Sequence, residues 1–442
     1  MSPPSAIVER TALGQEFPSM LQVCRRPFLL AAWASVAVTL AAGAAPATES
    51  KASKDPALVR AERVLDRAIL FDGHNDLPIT LRSEFGPVPD PAQYDLRQRT
   101  RWQTDIPRLR AGRVGAQFWS VYIPGEAGRD FARTQLEQIA TARRMIEKYP
   151  DVFEYASTAD DVVRIRRAGR IASMLGMEGG YGIENSLGPL KAYYDLGVRY
   201  MALTHNTHTD WADSAAQVPA RHGGLSDFGR EVVREMNRLG MLIDLSHASE
   251  ETVLDTLDVS QAPVIFSHSA VRGIVDIPRN VPDSALDRLK ANGGVVMVLF
   301  VGGFVSPEAA KAWAPAMAEF QFRAREAKTP QERSALFREV FDKANIPKPT
   351  IAQVADHIEY VVRRAGIDHV GIGADYDGAS GWPDGLSDVS TYPNLFAELV
   401  RRGWSDRDLE KLAGGNVLRA LREAERVAAR LQADAFKGAP RQ

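Results

Sequence analysis

The sequence predicts an α/β protein, a (β/α)8 TIM-type barrel with an inserted helical segment around residues 304–350. Short apolar runs, eight in number, alternate with longer helical patterns between residues 57 and 430, and no low-complexity linker divides this region. Several of the runs are continuously apolar rather than alternating, as in parallel strands that are buried on both faces. A doubly wound open sheet is the alternative fold with this order of elements.

The apolar runs and the helical patterns follow one another along the chain. The eight predicted strands are residues 69–72, 116–122, 171–177, 200–204, 241–245, 264–267, 294–300 and 369–374. Helical patterns include residues 130–148, 227–239, 250–257 and 354–364. Gly240 and Gly366 follow two of these patterns directly and predict helix C-caps that lead into the next strand.

Residues 304–350 depart from this rhythm. They carry alanine, charged and aromatic residues at helical spacing after the seventh predicted strand. The pattern predicts an inserted pair of helices. The pair either packs against the barrel or serves as a lid or an oligomer contact, and the sequence leaves these roles open.

The composition excludes several classes of protein. Hydrophobic residues make up 45% of the 442 residues and charged residues 25%, as in soluble globular proteins, which excludes disorder, collagen and a polytopic membrane protein. Lys and Arg number 54 against 56 Asp and Glu, so no basic excess indicates nucleic acid as a partner. The single cysteine excludes an internal disulfide and a thiolate zinc cluster.

The first residues of the chain have the pattern of an export signal. Residues 27–48 carry no charge and follow Arg25 and Arg26, and two small-residue A-x-A sequences end the stretch, so we predict a signal peptide at residues 1–44. Met20 is an alternative start, and the arginine pair resembles a twin-arginine signal, with a general Sec signal as the alternative. A membrane anchor is the other interpretation of the uncharged stretch. We expect an exported, periplasmic or secreted protein without a permanent membrane anchor.

The rest of the chain divides into three predicted segments. Residues 45–64 form a leader of the mature chain, residues 65–425 a metal-dependent hydrolase barrel, and residues 426–442 a polar C-terminal tail. The length therefore corresponds to one domain with additions rather than to two ordinary domains.

Polar residues that can bind metals follow most of the predicted strands. In such barrels the reactive groups lie at the carboxyl ends of the strands. The residues at these positions are His74, Asp76, Glu178, His205, His247, His268 and Asp375. Nitrogen and carboxylate ligands without thiolates suit Zn²⁺, Mn²⁺ or Fe²⁺. Because the set exceeds the needs of one tetrahedral zinc, two metals bridged by Glu178 are the arrangement that would use all of them.

Longer motifs around these residues resemble the renal (membrane) dipeptidase family of zinc peptidases, which are amidohydrolase-like barrels. The match runs from about residue 65 to 425. The motifs are FDGHNDLP at 71–78, AQFWSVY at 116–122, MEGG at 177–180, LTH at 203–205, WAD at 211–213, GLSDFG at 224–229, NRLGMLIDLSH at 237–247, PVIFSHS at 263–269, RNVPD at 279–283 and HVGIGADYDG at 369–378.

The resemblance implies a role for each metal-competent residue. His74 and Asp76 resemble the ligands of one zinc ion, and His247 and His268 those of the other. Glu178 resembles the carboxylate that bridges both ions. The implied cofactor is therefore two Zn²⁺ per subunit, with other divalent metals as alternatives, and the bridging water would be the nucleophile.

The resemblance also implies the residues that handle the substrate. His205 resembles the histidine that contacts the substrate carbonyl region and stabilises the oxyanion, and Arg279 resembles the arginine that binds the terminal carboxylate. Asp375 resembles the aspartate that moves the proton from the water to the leaving amine. From the residues alone, an ion pair of Arg279 with Asp276 or Asp283 is the alternative.

The resemblance implies an exported dizinc dipeptidase. Its substrates would be dipeptides, including those with a D-residue at the C-terminal side. The resemblance also favours a homodimer. The alternatives are a barrel hydrolase acting on lactones, phosphoesters or N-acyl amino acids, and a binding protein with a vestigial metal site. Tyr181 departs from the family pattern, because other members carry histidine there, and His208 adds an imidazole nearby; both predict an altered substrate pocket.

Overall fold

The structure is a computed structural model that describes residues 55–125, 130–327 and 330–438. The predicted signal peptide at 1–44, and the first ten residues of the predicted leader at 45–64, lie outside the described residues. Among the helices of the described ranges, none is both long enough and apolar enough to cross a membrane.

The described residues contain nine strands. They are β1 (Leu70–Asn75), β2 (Val114–Ser120), β3 (Phe153–Tyr155), β4 (Ile171–Met177), β5 (Val198–Ala202), β6 (Leu242–Asp244), β7 (Val264–Ser269), β8 (Val295–Val298) and β9 (Val370–Ile372). The strands pair in parallel in the order β2-β1-β9-β8-β7-β6-β5-β4, and β4 pairs with β2 to close the ring. This closed barrel of eight parallel strands confirms the predicted fold and excludes the open sheet.

Strand β3 was not predicted from the sequence. It is three residues long, pairs with the first residues of β4 and stands outside the ring. Phe153 is buried and meets the ring of Trp119 edge-on, with 5.7 Å between the ring centroids. Three residues are too few to show a periodicity of two, so this strand depends on tertiary packing.

Sixteen helices are described between and around the strands. They are α1 (Pro56–Arg67), α2 (Leu77–Phe85), α3 (Ile106–Ala111), α4 (Phe131–Lys148), α5 (Ala159–Arg167), α6 (Leu187–Asp195), α7 (Asp227–Leu239), α8 (Glu250–Val259), α9 (Asp283–Asn292), α10 (Gly302–Val305), α11 (Pro307–Arg323), α12 (Pro330–Lys343), α13 (Ile351–Ala365), α14 (Tyr392–Arg401), α15 (Asp406–Glu410) and α16 (Asn416–Gly438). Helix α7 shows how the sequence sets the ends of these elements. The Ser226 side chain accepts from the N–H of Gly229 at its start, and Gly240 ends it at φ 82° before β6 begins.

Aromatic rings inside the barrel connect its core to the carboxyl ends of the strands. Phe71 of β1 stacks on Phe118 of β2, with ring centroids 5.0 Å apart, and Phe118 packs against Tyr200 of β5 at 4.8 Å. All three side chains are fully buried. The hydroxyl of Tyr200 points toward the end of β1, where the polar residues begin.

The insertion at 304–350 forms the predicted pair of helices, α11 and α12, after the short helix α10. Aromatic rings join the two helices: Trp313 lies 4.5 Å from Phe341, and Phe320 lies 5.2 Å from Phe337. Trp313 also packs against Phe304 of α10, with ring centroids 5.9 Å apart. These contacts give the pair its own small core and connect it to the loop that follows β8.

His357 of α13 ties the same loop to the barrel. It is fully buried and therefore has a packing role. Its Nδ1 accepts from the N–H of Val271, and its Nε2 donates to the carbonyl of Val305, each at 3.1 Å. The side chain therefore connects the segment after β7 to the end of α10.

Candidate metal centre

The predicted metal ligands and the predicted catalytic residues His205 and Asp375 lie together at the carboxyl end of the barrel. Each stands at the end of a strand or just after it: His74 in β1 with Asp76 behind it, Glu178 after β4, His205 after β5, His247 after β6, His268 in β7 and Asp375 after β9. Three overlapping groups of them have ligand atoms within 4.8 Å of one another, and Glu178 belongs to two of these groups. Parallel strands bring these side chains together although up to 301 positions separate them in the sequence, from His74 to Asp375.

Glu178 lies at the centre and faces a different set of side chains with each oxygen. Its Oε1 is 3.1 Å from Nε2 of His247 and 3.4 Å from Nε2 of His268. Its Oε2 is 3.6 Å from Nε2 of His74, and that nitrogen is 3.1 Å from Oδ2 of Asp76. The carboxylate therefore stands between two separate ligand pairs.

The arrangement fits metal ions. The Nε2 atoms of His247 and His268 are 2.9 Å apart, and two nitrogens on one tetrahedral zinc would lie about 3.3 Å apart for bonds of 2.0–2.1 Å. Within the described ranges, Oδ1 of Asp76 and Nδ1 of His247 are buried without a hydrogen-bond partner. Buried polar atoms normally find partners, so a free carboxylate oxygen beside converging imidazole nitrogens indicates a cation site.

Two of the histidines are held by side chains that the sequence interpretation did not single out. Nδ1 of His74 lies 2.8 Å from the hydroxyl of Tyr200, and Nδ1 of His268 lies 2.8 Å from Oγ of Ser267. Ser267 in turn donates to Oδ2 of Asp244 at 2.5 Å. Such contacts fix the tautomer that leaves Nε2 free to bind a metal. Ser267 and Asp244 occur in the motifs PVIFSHS and NRLGMLIDLSH, which was the available signal.

The buried position of these groups perturbs their ionisation. Burial lowers the pKa of His247 and of His268 well below the usual value, which keeps both imidazoles neutral. Burial opposes ionisation of Glu178, but the charges of His74 and His205 and the neighbouring imidazoles hold its pKa well below normal. A neutral imidazole and an ionised carboxylate are the forms that ligate metals, and His247, His268 and Glu178 have these forms. The pKa of His74 is raised well above normal despite its burial, because Tyr200 and two carboxylates favour its charged form, so a metal there would displace its proton.

The pKa of Asp375 is shifted in the direction opposite to that of Glu178. Burial, reinforced by the charges of Asp76 and Glu178, raises its pKa well above the usual range. Asp375 adopts the left-handed conformation at φ 69°, as does His247 at φ 69°. Gly378 permits the close approach of the carboxylates, because a Cβ there would lie 2.1 Å from Oδ2 of Asp76 and 2.6 Å from Oδ1 of Asp375.

His205 lies at the edge of this cluster. Its Nε2 is 3.8 Å from Oε1 of Glu178, and its ring packs between Tyr122 and His247, with centroid distances of 4.7 and 4.4 Å. Tyr122 therefore lies at the site. Trp119, the other aromatic residue near the end of β2, is fully buried and belongs to the core.

Arg279 stands next to the predicted metal ligand His268. Its guanidinium donates to Oγ of Ser269 and to the carbonyl of His268, each at 2.8 Å. Its Cζ lies 5.7 Å from the ring centroid of Phe304. Burial lowers its pKa to about 10, so it remains a cation at neutral pH. The guanidinium therefore contacts Ser269 and His268 rather than Asp276 or Asp283, the alternative partners that the sequence left open.

Comparison with known proteins identifies the family. The profile of membrane dipeptidases, peptidase family M19, matches residues 58–435. The chain belongs to the membrane dipeptidase family. Dipeptidase 3 of Mus musculus is 43% identical over 366 residues, which cover 81% of this chain and 65% of the mouse protein. The chain thus spans slightly less than two thirds of the mouse relative's length.

Other relatives match over most of their length. Dipeptidase verJ of Clonostachys rogersoniana is 39% identical over 398 residues, 88% of this chain and 92% of the fungal protein. The crystal structure of the probable dipeptidase PvdM from Pseudomonas aeruginosa has a TM-score of 0.72 at 27% identity and covers 84% of this chain and 99% of its own. The family resemblance and the barrel are confirmed. The roles of single site residues remain predictions that their geometry supports.

Proposed function

We propose that this member of the membrane dipeptidase family is a metallopeptidase that binds two Zn²⁺ ions and hydrolyses dipeptides, including those with a D-residue at the C-terminal side. The observation that carries the proposal is the position of Glu178. Its two oxygens face two ligand pairs, His74 with Asp76 and His247 with His268. This is the arrangement in which a single carboxylate can bridge two ions.

The chain's own residues would perform distinct tasks around these ions. Two divalent ions would supply an activated water and would polarise the scissile carbonyl. The imidazole of His205 lies beside Glu178 and would stabilise the negative oxygen that develops on that carbonyl. Asp375, whose pKa is raised well above normal, would accept a proton and deliver it to the leaving amine.

Arg279 supports the choice of dipeptides. Its guanidinium donates to the main-chain carbonyl of His268, so the cation stands directly beside a ligand residue. A substrate carboxylate bound there would be only a short distance from the scissile bond, which favours short peptides. The guanidinium would recognise the carboxylate, which L- and D-residues both carry.

The decisive experiment combines metal content with hydrolysis. The purified full chain should contain about two metal ions by elemental analysis and should release amino acids from an L,L and L,D dipeptide panel. A chelator should abolish hydrolysis, and added Zn²⁺ should restore it. Glu178→Gln should lose metal and activity, whereas Glu184→Gln, an exposed carboxylate six positions later, should retain both. A Glu178→Gln protein with full activity would overturn the proposal.

Light scattering of the same sample tests the expected homodimer.

A second comparison separates dipeptides from other substrates of barrel hydrolases. The wild type should prefer a dipeptide with a free carboxylate over the same dipeptide amide. Arg279→Met should remove most of this preference, by about 10–100-fold in kcat/KM for the free acid, because a buried cation–carboxylate contact is lost. A preference for lactones or amides that Arg279→Met leaves unchanged would favour the alternative hydrolase class.

We also propose that the chain is exported to the periplasm or beyond, with cleavage near residue 44. The uncharged residues 27–48 behind Arg25 and Arg26 support this proposal. Expression of the full chain in a Gram-negative host, followed by fractionation and N-terminal sequencing, should find the mature protein outside the cytoplasm. Replacing both arginines by lysine should block a twin-arginine route and leave a Sec route working. An uncleaved protein confined to the cytoplasm would contradict export.

A further inference from the structure

Tyr181 occupies a position beside the metal centre that the proposed mechanism does not use. It follows Glu178, Gly179 and Gly180, and its side chain is 8% exposed. Glycines hold the ring on two sides, because a Cβ on Gly125 would lie 2.4 Å from its Cζ and a Cβ on Gly179 2.5 Å from its Cε2. Gly179 has a φ of 90°, a conformation that favours glycine. The phenol therefore packs directly against the main chain at both glycines.

The hydroxyl of Tyr181 binds a three-residue segment at three points. It accepts from the main-chain N–H of His205 at 3.0 Å and from Oγ of Thr207 at 2.9 Å. It donates to the main-chain carbonyl of Thr207 at 2.7 Å. A phenol offers one donor and two acceptor positions, so this segment uses its full capacity.

This segment begins at the residue to which the mechanism assigns oxyanion stabilisation. The ring of His205 extends from the held main chain toward Glu178, at 3.8 Å, and packs against Tyr122 and His247. A fixed main chain at His205, together with this packing of its ring, restricts where the imidazole stands relative to Glu178. A neutral histidine at 181 would offer only one donor and one acceptor and could not make all three contacts.

We propose that Tyr181 is the positioning residue of His205, and that its hydroxyl sets where this imidazole stands relative to Glu178. The catalytic meaning of the proposal rests on the proposed function, in which His205 contacts the substrate carbonyl. The structural part, which concerns the main chain at His205, is independent of it.

The kinetic test is a double-mutant cycle with Tyr181→Phe and His205→Gln. Phenylalanine keeps the ring between the glycines and removes only the hydroxyl. Tyr181→Phe should lower kcat for a dipeptide by about 10–100-fold, with KM changed much less, because a small displacement of a stabilising group acts on the transition state. In the His205→Gln background the same substitution should change kcat by less than about twofold. Equal effects in both backgrounds would overturn the proposal.

Tyr149→Phe is the matched control. Tyr149 is also buried, and its hydroxyl accepts from a main-chain N–H, that of Leu96, at 2.7 Å. Its ring packs against Phe153, which pairs with the first residue of β4, at the end of that strand opposite to Glu178. Tyr149→Phe should lower the thermal midpoint in a way comparable to Tyr181→Phe and leave kcat close to that of the wild type. A kcat loss in Tyr149→Phe equal to that of Tyr181→Phe would indicate a general structural effect and would overturn the positioning role.

Hydrogen exchange gives a readout that needs no activity. The amide of His205 should exchange at least about tenfold faster in Tyr181→Phe than in the wild type, because its acceptor is lost, and should be unchanged in Tyr149→Phe. Unchanged exchange at His205 in Tyr181→Phe would overturn the proposal. A wild type without dipeptidase activity would overturn the proposed function, and exchange at His205 would then decide the structural part alone.

Discussion

Ser267→Ala tests whether the side chains that contact the predicted metal ligands control metal binding. Oγ of Ser267 lies 2.8 Å from Nδ1 of His268 and 2.5 Å from Oδ2 of Asp244. If Nε2 of His268 binds a metal, Nδ1 must carry the proton and donate to Ser267. The substitution removes one oxygen and leaves a buried N–H and a buried carboxylate oxygen without that partner.

The expected magnitude follows from these contacts. Loss of a partner behind a histidine ligand typically weakens metal binding by about 10–100-fold, or about 1.4–2.8 kcal/mol. Asp244 keeps the N–H groups of Ser246 at 3.0 Å and Ser267 at 2.8 Å. The free energy of unfolding should therefore fall by about 1–3 kcal/mol rather than by the cost of an unpaired charge. Burial raises the pKa of Asp244, and loss of the Ser267 hydroxyl should raise it further.

The assay is competition for Zn²⁺ with a chromophoric chelator, together with urea unfolding of the metal-free protein. Ser173→Ala is the control, because Ser173 is a buried strand serine whose Oγ lies 3.4 Å from the carbonyl of Ile171, away from the site. It should leave the Zn²⁺ affinity within about twofold of the wild type. Wild-type affinity in Ser267→Ala would refute the reasoning, because His268 would then not need this contact to bind a metal.

Three further changes test other parts of the structure. Burial lowers the pKa of His357 from 6.5 to about 4. The unfolded chain then binds this proton first, so the wild type should lose about 3 kcal/mol of unfolding free energy as the pH falls from 6.5 to 4. His357→Gln should lack this component in urea midpoints across that range, and an unchanged slope would contradict the prediction. Trp313→Ala should destabilise the α11–α12 pair by about 3–5 kcal/mol. Limited proteolysis should then cut within the pair and leave the barrel intact, and a variant as resistant to the protease as the wild type would argue against this prediction. Gly378→Ala should displace Asp76 and Asp375 and so reduce the metal content, as measured by elemental analysis on protein with a native circular dichroism spectrum. Full metal content would contradict this, because the two carboxylates would then accommodate the added methyl group without loss of metal.

The barrel was predictable because its strands are strongly apolar and separated by clear helix ends. Gly240 ends α7 in the left-handed conformation that a glycine after a helical pattern predicts. The predicted strands at 116–122 and 200–204 each lie two residues later than β2 and β5, because apolar residues continue past the last paired residue. Strand β3 was missed since its pairing with β4 has no local signal.

The candidate ligands were predictable for a different reason. Every parallel strand of a closed barrel ends at the same rim, so residues at strand ends must converge. What the sequence could not predict is which side chains hold the ligands from behind. His74 and Tyr200 are 126 positions apart and meet only inside the barrel. The three-point contact of Tyr181 likewise depends on the exact path of the segment after β5.

The left-handed backbone at His247 and Asp375 has a consequence for protein engineering. A residue that carries a Cβ is strained in this conformation by about 1 kcal/mol relative to glycine. A library of the metal-free protein selected only for thermal resistance should therefore enrich glycine at both positions, which would remove a predicted metal ligand at 247 and the predicted proton-transfer residue at 375. A stability screen on this scaffold needs metal content and hydrolysis as further criteria, since relief of backbone strain and loss of the predicted site would occur at the same positions.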